Sequence, residues 1–290
     1  MTLIVPLRAD RALADDIEAA NPGKGDGKGV ALWWLGQSGF LVKSANERLL
    51  LDPYLSDSLS KKYEHTDKPH VRMTARAIDP HLLRRIDVVT SSHNHTDHLD
   101  AETLSAVWQA NPAAALVIPE ANRSFVAERL GSGAALSQGL SDGQSLTLGG
   151  ITIHAVPAAH NDIDRDEQGR CRYLGYVVRL GGVTIYHSGD TLRYPGMAEL
   201  LRPLAIDVAL LPINGNRPER RVAGNLRGDE AAQLAHDMGA RLVIPCHYDM
   251  FAFNTESPEL FVATCQRLGM AYRVLQCGAR LDVAAPNDCR

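Results

Sequence analysis

Potential metal ligands crowd the segment SHNHTDH, residues 92–98, which places three histidines and one aspartate within six residues. The residues before it, 86–90 (IDVVT), are short, apolar and β-branched, which is typical of a buried strand. After it, apolar residues recur at helical spacing from Leu104, and Asp100 is a candidate N-cap. The segment is therefore predicted to form a strand-to-helix turn, where α/β folds commonly place their chemistry.

The order of the ligands within this segment allows more than one ion. His93 and His95 alternate, so both imidazoles can face one cleft, while Asp97 and His98 can face a second position nearby. The alternative is a polar surface loop, because a motif match is only a hypothesis until its structural context fits. The strand that precedes the segment favours the metal site.

The same pattern recurs further along the chain. His160, Asp190 and His247 each come directly or shortly after an apolar segment that predicts a strand. The three segments are 151–156, 183–186 and 242–246. Several strands can therefore deliver ligands to one edge of the fold, and this recurrence is the strongest functional signal in the sequence.

Length and composition predict an ordinary globular protein. The chain has 290 residues, of which 45% are hydrophobic and 22% charged. Residues 1–29 are interpreted as a helix over 9–20 followed by a glycine-rich flexible connector, and 30–290 as a single domain. The connector superficially resembles a phosphate-binding loop, but no strand precedes it and no helix follows. The net charge of −4 argues against a general nucleic-acid binder, which usually has a basic face.

Cysteine usage and hydropathy bear on the cellular compartment. The five cysteines are widely spaced and form no CxxC pair, so the sequence predicts neither a disulfide framework nor a zinc finger. No segment has the apolar core of a signal peptide or the length of a membrane span. These features favour a cytoplasmic protein without membrane contacts.

The combination of HxHxDH, a single later histidine, an SGD motif and a final histidine resembles the metallo-β-lactamase superfamily of hydrolases across nearly the whole chain. The resemblance implies an α/β fold, a four-layer αβ/βα sandwich with two β-sheets flanked by helices and a dinuclear site at one edge. It assigns His93, His95 and His160 to one ion. It assigns Asp97, His98 and His247 to the other, with Asp190 as a bridge between the two.

Two divalent ions are the implied cofactors. Imidazole and carboxylate ligands without thiolate suit Zn²⁺, and also Mn²⁺ or Fe²⁺. Two such ions about 3.5–4 Å apart can share a hydroxide and polarise the oxygen of the group under attack. Asp97 is a candidate catalytic residue, which would orient the nucleophile or pass a proton to the leaving oxygen.

Within the superfamily, the chain resembles the L-ascorbate-6-phosphate lactonases in most detail. Asp190 stands where the classical β-lactamases have a cysteine ligand, which argues against antibiotic hydrolysis. The segments that carry the lactonase resemblance are WWLG (33–36), IDV (86–88), YHSGD (186–190), IDVAL (206–210) and VIPCHYD (243–249). Lactone hydrolysis on a phosphorylated sugar acid is the activity that this resemblance implies.

Candidate substrate contacts lie in the loops around the ligands. A phosphorylated substrate needs cationic donors, and arginines cluster in the loop over 214–228. The alternative is a solvated arginine-rich loop, because charge runs usually lie at the surface. The long connection over 54–80 can also contribute contacts if it folds over the cleft. The candidates are Arg217, Arg220, Arg221 and Arg227 in the loop, with Arg193, Tyr194, Asn94, Asn161 and Tyr248 beside the ligands.

The leading prediction is a metal-dependent hydrolase that acts on a small, anionic or phosphorylated lactone or ester through a metal-bridging hydroxide. A metal-dependent phosphodiesterase on small nucleotides or phosphodiesters is the alternative among enzymes. A catalytically silent metal-binding module is the alternative from another class, although such a module has no need for an open nucleophile position. The expected partner is a small molecule, and the lactonase resemblance suggests a homo-oligomer.

Overall fold

A computed structural model of the protein describes residues 2–23 and 28–286. Residues 24–27 of the predicted flexible connector and Cys289 lie outside the described residues. The α-helices in the described ranges are α1 (Asp10–Ala19), α2 (Ser58–Tyr63), α3 (Ala101–Ala110), α4 (Arg123–Leu130), α5 (Met197–Leu201), α6 (Gly228–Asp237) and α7 (Glu259–Leu268). No helix in the described ranges has the length and hydrophobicity of a membrane-spanning segment.

The strands form two mixed sheets. The first contains β1 (Val30–Gly36), β2 (Gly39–Lys43), β3 (Arg48–Leu51), β4 (Val88–Thr90), β5 (Ala115–Pro119), β6 (Ser137–Leu140) and the late strand β13 (Arg280–Val283). The second contains β7 (Ser145–Leu148), β8 (Ile151–Pro157), β9 (Leu174–Leu180), β10 (Val183–His187), β11 (Val208–Pro212) and β12 (Leu242–Cys246). Helices flank the two sheets, and the predicted α/β sandwich is confirmed.

Strand directions bring the predicted ligand positions to one edge. In the first sheet, β3, β4, β5 and β6 are parallel, so the chain leaves β4 at the same edge as its neighbours. In the second sheet, β10, β11 and β12 are parallel, and β8 runs in the same direction because both β8 and β10 are antiparallel to β9. The carboxyl ends of β8, β10 and β12 therefore share one edge.

The core lies between the sheets and under the helices. Most strand residues of the first sheet's centre are buried, including all of β1, β2 and β3. The second sheet is covered by α6, which packs against β11, β12 and α7. Tyr176 of β9 donates a hydrogen bond through its hydroxyl to the carbonyl of Ser91, 3.0 Å away, and so ties the second sheet to the turn after β4.

Helix α1 is attached to the first sheet by polar bonds as well as by apolar packing. Leu13 and Ile17 are buried, and Trp33 of β1 donates from Nε1 to Asp16 at 2.8 Å. Lys43, at the end of β2, donates from Nζ to the carbonyls of Ile17 (2.7 Å), Glu18 (3.1 Å) and Ala20 (2.7 Å). An ammonium group at the C-terminal end of a helix satisfies carbonyls that have no partner within the helix.

The variant Lys43→Met is therefore expected to lower the free energy of unfolding by about 2 kcal/mol, because hydrogen bonds to charged groups contribute about 1.5–3 kcal/mol and the buried carbonyls would lose their donor. Urea unfolding followed by circular dichroism measures the change. The exposed Lys61 provides the control, and Lys61→Met should change stability little. Equal stability of the two variants would contradict this account of how α1 is held.

Candidate metal centre

The structure brings all seven predicted ligands together at the edge where β4, β8, β10 and β12 end. The turn after β4 supplies four of them, and one each follows β8, β10 and β12. Ligand atoms within each of three groups lie within 4.8 Å of one another. The groups are His93, His95 and His160; His93, His98 and Asp190; and Asp97, His98 and His247.

Asp190 lies between the two sets of histidines. Its Oδ1 is 3.3 Å from His98 Nε2, and its Oδ2 is 3.3 Å from His247 Nε2 and 3.6 Å from His160 Nε2. Asp97 Oδ2 is 3.7 Å from His98 Nε2 and 3.6 Å from His247 Nε2. The carboxylate of Asp190 thus contacts both sets, as a bridging position requires.

The chemistry of these atoms fits divalent cations. His93 Nε2 is buried and has no hydrogen-bond partner among the described residues, and His98 Nε2 and Asp190 Oδ1, although 3.3 Å apart, are not aligned for a hydrogen bond. Buried polar atoms are nearly always paired, so several unpaired atoms that converge at one place indicate a missing partner. Imidazole nitrogens and carboxylate oxygens are ligands for Zn²⁺, Mn²⁺ and Fe²⁺.

The histidines differ in their protonation. Burial lowers the pKa of His93 and His160, and desolvation lowers the pKa of His95 to about 4, so these imidazoles are neutral at pH 7. Burial also opposes the charge on His98 and His247, but the carboxylates of Asp190 and Asp97 outweigh it. They raise the pKa of His98 well above its usual value and that of His247 to about 9. The first three are therefore ready to bind a cation, whereas a cation at the other pair must displace protons.

A buried aspartate orients one of these ligands. Asp52, directly after β3, is fully buried and accepts from His98 Nδ1 at 2.8 Å, which leaves Nε2 of that ring to face Asp190. Its other contacts are also donors: the backbone N–H and hydroxyl of Ser92, and the hydroxyl of Thr90 at 2.9 Å. Partners of this kind fix the tautomer and the direction of a metal-binding imidazole. Sequence reasoning missed Asp52, although it follows a buried strand in the same way as the ligands.

The backbone at the site is strained where it places these groups. Gln37, Asp52 and His247 have φ angles of 50°, 39° and 59°, in the left-handed region that residues other than glycine rarely adopt. Gly189, before Asp190, has φ 59°, and a Cβ there would lie 2.6 Å from the Cβ of Ser92. Only glycine lets the loop after β10 approach the turn after β4 this closely. Backbone strain of this kind is found at functional sites, where the surrounding structure maintains it.

A cleft of about 620 Å³ opens onto the metal centre. Its lining includes His95, Asp97, His160, Asp190 and His247. The connection over 54–80 does fold over this cleft, and it contributes Leu59, Lys62, Tyr63 and His70. The aromatic rings of that wall stack, with 4.2 Å between the centroids of Tyr63 and His70. The cleft therefore has a polar floor and a partly aromatic wall.

The predicted substrate contacts are only partly brought to this cleft. Asn94 lines it. Asn161 Oδ1 accepts from the backbone N–H of Gly224, and Tyr194 donates to the carbonyl of Pro157. Tyr248 is buried, stacks on Trp34 with 4.7 Å between ring centroids, and donates to the carbonyl of Leu275. The last three side chains hold loops and the core rather than lining the cleft.

The predicted arginines are engaged elsewhere. Each forms an ion pair with a carboxylate. None of them is among the described residues that line the cleft. The pairs are Arg193 with Asp237, Arg217 and Arg220 with Glu256, Arg221 with Asp67, and Arg227 with Asp229. Carboxylates already pair with these guanidiniums, so the structure gives no support to a phosphate site in the arginine-rich loop.

Two other cations line the cleft instead. Lys62 and Arg129 both line it, and within the described ranges neither lies at ion-pair distance from a carboxylate. The Lys62 ammonium lies 5.2 Å from the centroid of the Tyr63 ring. Arg129 donates to the carbonyls of Asn94 (2.7 Å) and Leu99 (3.3 Å), and its guanidinium lies over the ring of Phe125 at 4.4 Å. The sequence carried no signal for these two residues, because they are single cations on unremarkable segments.

Comparison with known proteins agrees with this geometry. The sequence model of a β-lactamase superfamily domain matches residues 47–248. A UPF0173 metal-dependent hydrolase of Opitutus terrae is 30% identical over 259 residues, covering 88% of this chain and 100% of that relative.

Solved structures show the same fold at low identity. The isothiocyanate hydrolase from Delia radicum gut bacteria has a TM-score of 0.69 at 17% identity, covering 88% of this chain and 100% of its own. The metallo-β-lactamase fold protein YhfI from Bacillus subtilis has a TM-score of 0.62 at 17% identity, covering 88% of this chain and 99% of its own. At this identity the likeness establishes the fold alone.

The variant Asp52→Asn is expected to weaken metal binding about 10–100-fold, as the loss of a residue that hydrogen-bonds to a metal ligand typically does. Every polar group that contacts the Asp52 carboxylate is a hydrogen-bond donor. The N–H₂ group of an asparagine would therefore face another donor and disturb the orientation of the His98 ring. Competition for Zn²⁺ with a chelator measures the affinity. Asp87→Asn, at the opposite end of β4, is the control, and equal affinities of the two variants would contradict the role assigned to Asp52.

Proposed function

This chain belongs to the β-lactamase superfamily and to its UPF0173 metal-dependent hydrolases, and from that membership we propose that it hydrolyses a small anionic lactone or ester. The observation that carries the proposal is the seven-ligand cluster at the floor of an open cleft that also contains two unpaired cations. A silent metal-binding module has no need for such a cleft, since a structural ion is enclosed by its ligands.

The seven residues of the cluster would bind two ions in two sets. His93, His95 and His160 would hold one divalent ion and Asp97, His98 and His247 the other, with Asp190 between them. When bound, a pair of divalent ions lowers the pKa of a water molecule and polarises the oxygen of the scissile group. Zn²⁺, Mn²⁺ and Fe²⁺ all suit these ligands.

Asp97 is the residue best placed to handle a proton. It lines the cleft, and its Oδ2 lies within 3.7 Å of two imidazoles. Burial acts to raise its pKa, but His98 and His247 outweigh that effect and keep the carboxyl ionised at neutral pH. An ionised carboxylate at this position can orient a water for attack or accept its proton.

Lys62 and Arg129 support an anionic substrate. An unpaired ammonium and guanidinium in the same cleft provide donors for a carboxylate or phosphate. This assigns anion recognition to the cleft wall rather than to the arginine loop over 214–228. The lactone part of the proposal rests on the resemblance to L-ascorbate-6-phosphate lactonases in segments such as WWLG and VIPCHYD.

Metal removal and a substrate panel test the proposal. We expect metal-free protein to be inactive, and protein reloaded with Zn²⁺ or Mn²⁺ to hydrolyse phosphorylated lactones faster than cyclic phosphodiesters. His93→Ala should lower kcat/KM at least about 100-fold, because it removes a predicted ligand. Changes to residues that only hydrogen-bond to a ligand already lower metal affinity or activity about 10–100-fold. Preferential hydrolysis of the phosphodiesters would establish the alternative activity, and full activity without metal would overturn the proposal.

Lys62 provides a separate test of anion recognition. Lys62→Met should raise KM for a phosphorylated lactone about three- to fivefold, with kcat unchanged, because an exposed ion pair contributes modestly. A neutral lactone should show no change in KM. Lys61→Met is the matched control, since Lys61 is the preceding residue and pairs with Glu102. Equal KM changes for charged and neutral substrates would argue against the assignment.

A further inference from the structure

Gln37 is a buried polar residue at the metal centre that the ligand motif does not include. It lies in the turn between β1 and β2, is only 1% exposed and lines the cleft. Its carbonyl accepts from Trp34 Nε1 and from the backbone N–H of His247, each at 2.9 Å. The backbone is thus held on two sides, and with φ 50° it directs the side chain to the metal centre.

The end of this side chain contacts two atoms of the second set of ligands. Gln37 Nε2 is 2.8 Å from Asp97 Oδ2 and 3.1 Å from His247 Nε2. Within that set, Asp97 Oδ2 is itself 3.7 Å from His98 Nε2 and 3.6 Å from His247 Nε2. The amide end therefore lies beside the set at distances comparable to those between the ligands.

The other atom of the amide has no role in this arrangement. Gln37 Oε1 is buried and has no hydrogen-bond partner among the described residues. An unpaired buried carbonyl is costly and calls for an explanation. Amide nitrogen and oxygen exchange places when the group turns over by half a rotation, and which atom faces which neighbour depends on the surrounding charges.

We propose that Gln37 is an additional ligand of the second ion and binds it through the amide oxygen. Without a metal ion, the N–H₂ end prefers to face the Asp97 carboxylate, 2.8 Å away, and the amide oxygen is left without a partner among the described residues. A divalent cation among Asp97, His98 and His247 reverses that preference, because it attracts the carbonyl oxygen and repels the N–H₂ dipole. Amide oxygens are ordinary ligands of divalent cations.

The additional oxygen distinguishes the two positions chemically. Around the first ion, three imidazoles and Asp190 form a nitrogen-rich set of four, which suits Zn²⁺. Around the second, Gln37 makes a set of two imidazoles and three oxygens. Oxygen-rich sets with more than four ligands suit Mn²⁺ better than Zn²⁺. The inference rests on the proposed metal dependence but not on any particular substrate.

Metal titration of the folded, metal-free protein tests this inference without an activity assay. Calorimetry with Mn²⁺ and with Zn²⁺ should show two ions per chain in the wild type. Gln37→Leu should bind the first ion normally and the second about 10–100-fold more weakly, with the larger loss for Mn²⁺. Gln37→Glu, which keeps an oxygen in place, should retain the second ion. Gln109→Leu on α3 is the control, because its side chain is exposed and bonds to His81 and Ser105.

The outcomes separate this inference from the proposed function. If Gln37→Glu loses the second ion as Gln37→Leu does, Gln37 acts as a hydrogen-bond donor to Asp97 and not as a ligand, and the inference is overturned. Binding of the second ion by Gln37→Leu as tightly as by the wild type would overturn it as well. If Gln37→Leu does not fold, Gln37→Glu decides, since loss of its second ion would likewise overturn the inference. Absence of any metal binding by the wild type would contradict the proposed function itself.

Discussion

The buried carboxylate of Asp190 is the group on which the arrangement of the site depends. A carboxylate in the protein interior is tolerated only when cationic or hydrogen-bonding partners surround it. Here the partners are His98, His160 and His247, which come from the turn after β4 and from the ends of β8 and β12. Strand ends of two different sheets must therefore meet at one point, and the sheets must pack with these edges aligned.

The same charges explain how the site can exist with either protons or cations. The carboxylates raise the pKa of His98 and of His247, so these two rings carry protons when no cation is present. Divalent ions bound at this site would replace those protons and release them to solvent. Asp52 accepts from Nδ1 of His98 and leaves Nε2 to face the cluster, and the same hydrogen bond would hold the ring in this orientation with an ion bound. The neutral rings of His93, His95 and His160 need no such exchange.

The cluster of candidate ligands could be predicted from the sequence because its signal is local. Each ligand group follows an apolar, β-branched segment within a few residues, and the carboxyl ends of such strands meet at one edge. The arginines are different, because the partners of Arg193, Arg217 and Arg221 lie 44, 39 and 154 residues away. Only the folded chain shows that these charges are already neutralised.

Other parts of the structure had no sequence signal for related reasons. β6 and β13 are the outermost strands of the first sheet, and as edge strands they need no continuous apolar run. Gln37 lies in a tight turn and belongs to no motif, and its significance comes from two atoms 60 and 210 residues away. Lys62 and Arg129 line one cleft only because the fold places the connection over 54–80 beside α4.

One cluster of seven side chains is proposed to hold two ions. Anomalous X-ray diffraction from crystals soaked in Mn²⁺ or Zn²⁺ tests it most directly. Two peaks per chain are expected, one among His93, His95 and His160 and one among Asp97, His98 and His247, with Asp190 between them. A single peak at full occupancy, or ions bound elsewhere while the cluster stays empty, would contradict it.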